Sequence, residues 1–225
     1  MSGPAALLAG ILPGAVAVCE TYGDLPGARL LPAERETAAA LPAGRRREFT
    51  TVRHCARRAG RRLGLAPFPL LPGRAGAPGW PPGVTGSLTH CRGYRGAAVA
   101  RTGRVRALGV DAEPHRPLPA GMAARIALTE ERAHLAALAA RDPAVAWDRL
   151  LFCVKEAVYK VWSPLAAEWL GFHEAAVRFT EGRPAFTVRL LRPVPPHAAG
   201  RLPSVLRGGW RAERGLLLAA IAVPG

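Results

Sequence analysis

Apolar positions along the chain alternate between two periods. From Arg45 to Leu63, the residues Phe49, Val52, Ala56, Ala59 and Leu63 recur at helical spacing, which predicts an amphipathic helix with Gly64 as its C-cap. From Pro143 to Trp162, the residues Trp147, Leu150, Leu151, Val154, Val158 and Val161 form a second, stronger stripe that Pro164 should end. Glu34 to Ala40 reads as a short helix stopped before Pro42. Thr129 opens another, with Glu130 and Glu131 in the first turn, where the helix dipole favours carboxylates. The other apolar segments are short and strand-like: Ala15 to Val18, Val84 to Leu88, Ala97 to Arg101, Arg104 to Val110, Ala176 to Thr180 and Ala185 to Leu190. Trp210 to Glu213 and Leu216 to Val223 read as a closing hairpin turned by Arg214-Gly215, and Thr102-Gly103 reads as another tight hairpin turn. Pro67 to Pro82 is an irregular connection, and Pro114 to Pro119 breaks the pattern after the fourth strand. Mixed strands and helices in two halves, each with a helix beside a small antiparallel sheet, predict an α+β fold.

Composition changes this picture in one respect. The 225 residues are 49% hydrophobic and 21% charged, which is ordinary, but the formal net charge is +15 and the pI about 11.3. Such a field attracts polyanions: nucleic acid, an anionic membrane, a phosphorylated cofactor or an acidic protein. Aromatics are only 6% and no nucleic-acid recognition motif occurs, which argues against nucleic acid. No apolar run is long enough to span a bilayer. The apolar start lacks a basic n-region and is split by Pro13-Gly14, so a cytoplasmic protein is expected. Cys19, Cys55, Cys91 and Cys153 match no zinc spacing and read as free thiols. Of the 31 basic residues, the only lysines are Lys155 and Lys160, five positions apart. Among so many planar guanidiniums, they mark a place suited to a compact ammonium.

Three segments could carry chemistry. Asp111 and Glu113, at i and i+2 at the end of a strand, share one side of it. Two carboxylates that close suit a hard divalent cation between them; a solvated strand end is the alternative. Phe152-Cys153-Val154-Lys155-Glu156-Ala157-Val158-Tyr159-Lys160 lies within the strong helix, where Glu156 and Lys160 have the spacing of an ordinary ion pair. Gly86-Ser87-Leu88-Thr89-His90 ends a small, polar strand in a histidine able to meet phosphate or to sit part-buried in the core.

Gly109-Val110-Asp111-Ala112-Glu113, followed some forty residues on by the Phe152 to Lys160 segment, resembles the G-x-D-x-E and F-x-x-K-E-A-x-x-K signatures of Sfp-type 4′-phosphopantetheinyl transferases. Trp80-Pro81-Pro82-Gly83 through His90, and Arg47-Glu48-Phe49 with Val52 to Arg57, are similar to the siderophore-synthesis branch of that family and to its actinobacterial members. The resemblance covers nearly the whole chain. It implies a pseudo-dimer of two similar halves, residues 1–110 gripping coenzyme A phosphate and 111–225 carrying metal and catalysis, with the site in the cleft between. It implies transfer of the phosphopantetheine arm of coenzyme A to a serine of an acidic acyl, aryl or peptidyl carrier protein, with magnesium or manganese, by a monomer.

The resemblance also assigns roles. Asp111, Glu113 and Glu156 would hold the metal; Glu156 would be the general base, with Glu113 its rival; Lys155 and Lys160 would supply positive charge to the phosphates. Thr89 and His90 are similar to the pair that contacts the coenzyme A 3′-phosphate, and Arg45 and Arg53 to the helix arginines on the same group, with Arg46 and Arg47 near enough to compete. Phe152, Tyr159 and Trp169 are similar to residues lining the pantetheine channel, ordinary core being the alternative. Many relatives carry a lysine before the histidine strand; here the stretch Pro72 to Pro78 offers only Arg74.

Overall fold

The computed structural model describes residues 6–73 and 76–225. Among these, eight strands and five α-helices form two antiparallel sheets, each backed by one long helix. The first sheet has the order β1-β3-β2, from Ala17–Thr21 (β1), Val84–Cys91 (β2) and Tyr94–Arg101 (β3). The long helix α2 (Ala43–Arg62) lies on β1 and β3, and the short α1 (Arg35–Ala39) precedes it. The second sheet has the order β4-β8-β7-β6-β5. Its strands are Val105–Pro114 (β4), Ala175–Phe179 (β5), Ala185–Leu190 (β6), Val205–Glu213 (β7) and Leu216–Pro224 (β8). Helix α5 (Trp147–Ala166) lies on β4 and β8, with α3 (Met122–Ile126) and α4 (Thr129–Arg141) leading into it. The α+β architecture of two similar halves expected from the sequence is thus present.

The period of two along the strands divides the core into layers. On β8, Leu217, Ala219, Ile221 and Val223 face α5, whereas Leu216, Leu218 and Ala220 face a central layer shared with Val18, Tyr94, Ala98 and Ala100 of the first sheet. On β3, Ala97 and Val99 turn the other way, onto Cys55, Ala56 and Ala59 of α2. Both faces of the inner strands are therefore covered, which is why β3 and β8 read as unbroken apolar runs.

Several boundaries differ from the sequence reading. A turn closed by Val16 N–H on the Pro13 carbonyl delays β1 to Ala17. The hairpin that the sequence reading passes over is β2–β3, turned at Arg92-Gly93 with Gly93 at φ +80°. The mixed run from Thr89 to Arg95 concealed it: Thr89 and His90 are polar because they line a cleft, and Arg95 is buried in contact with Asp24 and Glu48. Thr102-Gly103, in contrast, joins strands of different sheets. Helix α5 begins at Trp147, since residues 143–146 form a turn, and runs through Pro164, whose missing N–H falls in the last turn before Ala167 adopts a left-handed φ of 54°. The closing hairpin turns where expected, with Arg214 and Gly215 both at positive φ, the requirement of a type I′ turn. Cys19, Cys55 and Cys153 are buried free thiols, and Cys91 is half-buried.

The basic face of α2 is neither bare nor simply solvated. Arg46 donates to the carbonyls of Ala38, Ala39 and Leu41, closing the C-terminus of α1. Arg57 forks onto fully buried Glu34 at 2.8 and 3.0 Å, and Arg62 reaches the Val18 carbonyl. These guanidiniums act as cross-links that satisfy backbone oxygens.

One close approach sets the geometry of the second half. Helix α5 crosses β4 at Gly109, where a Cβ would sit 1.9 Å from the Ala157 carbonyl oxygen and 2.9 Å from Val161 Cγ2. Gly109→Ala must push α5 off the sheet. It is expected to cost about 3 kcal/mol, at the upper end of the usual overpacking penalty, and to lower Tm by roughly 6–12 °C. Thermal unfolding followed by circular dichroism checks this; an unchanged Tm would refute the close packing.

Candidate active site

A cleft of about 600 Å³ opens between the two halves. It is lined by Arg45, Phe49 and Arg53 of α2, by Gly86 to His90 of β2, by Asp111 and Glu113 of β4, and by Phe152, Glu156, Tyr159 and Lys160 of α5. Its floor is the seam where β2, an edge of the first sheet, runs beside β4, an edge of the second. Side chains rather than a backbone ladder close this seam. Ser87 Oγ accepts the Val110 N–H at 3.0 Å, Thr89 Oγ1 donates to Asp111 Oδ1 at 3.2 Å, and Lys160 Nζ donates to the Val110 carbonyl at 3.0 Å.

On the β4/α5 side, the carboxylates meet as the i, i+2 spacing requires. Asp111 is buried; its Oδ1 accepts from Lys160 Nζ at 2.7 Å, and its Oδ2 is buried without a partner among the described residues. Glu113 Oε2 accepts from Arg149 at 2.8 Å, and Arg149 is itself fixed by the carbonyls of Arg116 and Pro117. No side chain among the described residues pairs with Glu156. Burial, and then the Asp111 charge, raise the pKa of both Glu113 and Glu156 above the ordinary carboxylate value.

The chemistry of this donor set fits a divalent cation. An orphaned, buried carboxylate oxygen and two neighbouring carboxyls destabilised by its charge are the groups that such an ion would satisfy. Among the described residues they do not close into a preformed three-ligand cluster, because Lys160 and Arg149 hold two of the three carboxylates.

On the α2/β2 side, Arg45 NH1 contacts Glu48 Oε2 at 2.9 Å and His90 Nε2 at 3.2 Å. A guanidinium only donates, so His90 Nε2 accepts and its proton sits on Nδ1. Burial lowers the His90 pKa, consistent with a neutral ring. Arg53 is buried, donates to the Leu70 carbonyl at 2.8 Å and lies over the Phe49 ring. Burial lowers its pKa to about 10. Of the three adjacent arginines, Arg45 lines the cleft, Arg46 caps α1 and Arg47 lies 3.5 Å from Asp24.

Two anticipated residues sit elsewhere. Lys155 turns away from the cleft: its buried ammonium donates to Glu131 Oε2 at 2.8 Å and to the carbonyls of Ile126, Phe172 and Ala175. Five positions on a helix are 500° of rotation, or 140° net, so Lys155 and Lys160 cannot share a face. Trp169 is exposed, with its ring centroid 5.0 Å from that of Tyr159, beside a small secondary pocket that Lys155, Glu156 and Tyr159 also border. Arg74 lies outside the described residues. Sequence reasoning missed Ser87, Glu48 and Arg149 as site residues. Ser87 was findable, because it stands at i−2 from Thr89 on the same strand, and Glu48 has the i, i+3 spacing of an ion pair with Arg45; its second partner Arg95 and the partners of Arg149 are distant in sequence. Lys155→Met should leave Glu131 buried and unpaired, destabilising the fold by roughly 3–5 kcal/mol. A stable variant by chemical denaturation would argue against Lys155 as an internal tie.

Comparison with known proteins agrees with this geometry. Residues 33–100 match the 4′-phosphopantetheinyl transferase N-terminal domain, and residues 107–205 match the 4′-phosphopantetheinyl transferase superfamily. The chain is 49% identical over 220 residues to 4′-phosphopantetheinyl transferase Svp of Streptomyces mobaraensis, across 96% of this chain and 89% of that protein. It is 46% identical over 224 residues to 4′-phosphopantetheinyl transferase PptT of Mycobacterium tuberculosis, across 96% and 98% respectively. It is 43% identical over 219 residues to 4′-phosphopantetheinyl transferase Npt of Nocardia iowensis, across 94% and 97%. With two family matches that together span most of its length and relatives this similar end to end, the chain belongs to the 4′-phosphopantetheinyl transferases.

Proposed function

We propose that this enzyme moves the 4′-phosphopantetheine arm of coenzyme A to a serine of an apo acyl, aryl or peptidyl carrier protein and releases 3′,5′-ADP. The observation that carries this reading is a single cleft between the halves. It offers guanidiniums on α2 and the His90 imidazole on β2, a carboxylate and ammonium cluster on β4 and α5, and the aromatic side chains Phe152 and Tyr159 along α5. Coenzyme A has matching parts: a 3′-phosphate, a pyrophosphate and a largely neutral arm. In this reading Arg45, Arg53 and His90 take the 3′-phosphate, Lys160 meets the pyrophosphate, and Phe152 and Tyr159 line the path of the arm.

The carrier serine hydroxyl attacks the phosphorus that bears the pantetheine arm. The bond from that phosphorus to the bridging oxygen breaks, and the nucleotide departs with that oxygen. Glu156 takes the serine proton. Its freedom from ion pairs among the described residues favours it over Glu113, whose carboxylate is tied to Arg149. Lys160, anchored by Asp111 and the Val110 carbonyl, keeps N–H capacity for phosphate oxygens on which charge builds. Asp111, Glu113 and Glu156 are the residues to hold a divalent cation, magnesium by the oxygen-only character of the donors; when bound, it supplies charge neutralisation on the pyrophosphate. The net charge of +15 favours an acidic carrier. Among the described residues no helix is long and apolar enough to cross a membrane.

Incubation of an apo carrier protein with this enzyme, coenzyme A and magnesium should add one phosphopantetheinyl group by intact mass, and EDTA should abolish the gain. Coenzyme A binding without transfer to any of several carrier types would count against the reaction. Glu156→Gln should lower kcat about 100-fold, the usual scale for a lost acid/base group. Near-normal turnover would move the base elsewhere.

A further inference from the structure

The cationic side of the cleft depends on a carboxylate with no assigned role. Glu48 lies on α2, one turn from Arg45. Its Oε2 accepts from Arg45 NH1 at 2.9 Å and its Oε1 from Arg95 NH2 at 3.2 Å. Arg95, on β3, is buried and immobile: Nε donates to Asp24 Oδ1 at 2.9 Å, and NH1 reaches the carbonyls of Cys91 and Tyr94. Arg95 is also the cross-strand partner of His90 in the β2–β3 ladder. A relay of ion pairs therefore runs toward the cleft from the segment after β1, through Asp24, Arg95, Glu48 and Arg45, and Arg45 ends it with a hydrogen bond to His90.

Arg45 needs such a tether. Its side chain is 61% exposed, and besides Glu48 its only side-chain hydrogen-bond partner among the described residues is His90 at 3.2 Å. A free arginine of this kind samples many rotamers, and fixing them on binding opposes affinity. A carboxylate beside an anion site would by charge alone weaken anion binding. Here both of its oxygens are already held by guanidiniums, so its charge is offset while its geometry remains.

We infer that Glu48 is a positioning residue that orients Arg45 beside His90 to receive the 3′-phosphate of coenzyme A. This rests on the reading above that this end of the cleft takes that phosphate. A glutamine is nearly isosteric but has one acceptor oxygen, so it can serve Arg45 or Arg95 and must turn its NH₂ toward the other.

The test compares calorimetric binding of coenzyme A and of dephospho-coenzyme A to wild type, Glu48→Gln and Arg45→Ala, with kcat and KM for coenzyme A. Glu48→Gln should weaken coenzyme A about tenfold, the scale of ordering one long side chain, and leave dephospho-coenzyme A within about twofold. The loss should fall on KM far more than on kcat. Unchanged or tighter coenzyme A binding would overturn the inference, since the carboxylate would then be only a competing charge. Equal loss for both ligands would also overturn it, as the mark of a general structural defect. Arg45→Ala separates the two levels: if it too fails to discriminate the ligands, the phosphate reading falls and the positioning role with it. If Arg45→Ala discriminates while Glu48→Gln does not, only the positioning role falls.

Discussion

The backbone N–H and C=O of Val110 are the constraint on which the cleft depends. Val110 lies on β4, an edge strand of the second sheet, against an edge of the first. An edge strand presents backbone donors and acceptors, and burying them unpaired is costly. Here Ser87 Oγ takes the N–H and Lys160 Nζ meets the carbonyl. Because the seam is closed by side chains from β2 and α5, it stays open enough to leave a cleft, yet its two halves are held in register. Asp111 follows Val110 directly and so falls between Thr89 and Lys160. Gly109, directly before Val110, admits α5 close enough for Lys160 to reach.

The same seam explains how charge is apportioned. Several carboxylates are tied by ion pairs, Glu34 to buried Arg57, Glu131 to buried Lys155 and Glu113 to half-buried Arg149. Among the described residues, Asp111 keeps one buried oxygen without a partner and Glu156 forms no ion pair. Uncompensated charged groups are expensive in an interior, and both of these carboxylates line one cleft; the other buried side-chain atom without a partner among the described residues, Trp210 Nε1, lies outside it. That concentration is what a site built for charged ligands requires.

The high arginine content has a structural reading as well as an electrostatic one. Arg46, Arg53, Arg57, Arg62, Arg95 and Arg149 each donate to backbone carbonyls or buried carboxylates, stitching loops and strand ends to their helices. A five-donor planar fork does this better than an ammonium. Lysine is kept for two places, one an internal tie and one at the cleft. The scarcity of lysine was an informative signal, but it covered two different uses.

The sequence by itself determined the element types, the two-halved α+β organisation, the closing type I′ hairpin and the carboxylate pair on β4, because periodicity and turn chemistry are local. It also carried the family, through the order of short motifs. Only the tertiary structure decided that Thr102-Gly103 links two sheets, that the mixed run from Thr89 to Arg95 is a hairpin, and that Lys155 faces Glu131. It alone separated Arg45 from Arg46 and Arg47, joined Glu48 to Arg95 and drew Arg149 into the site. Each of those outcomes turns on a partner distant along the chain or on which side of an element meets it. A pattern of residues specifies what a helix or strand can bury; which carbonyl, carboxylate or edge it meets there is fixed only when the two halves pack.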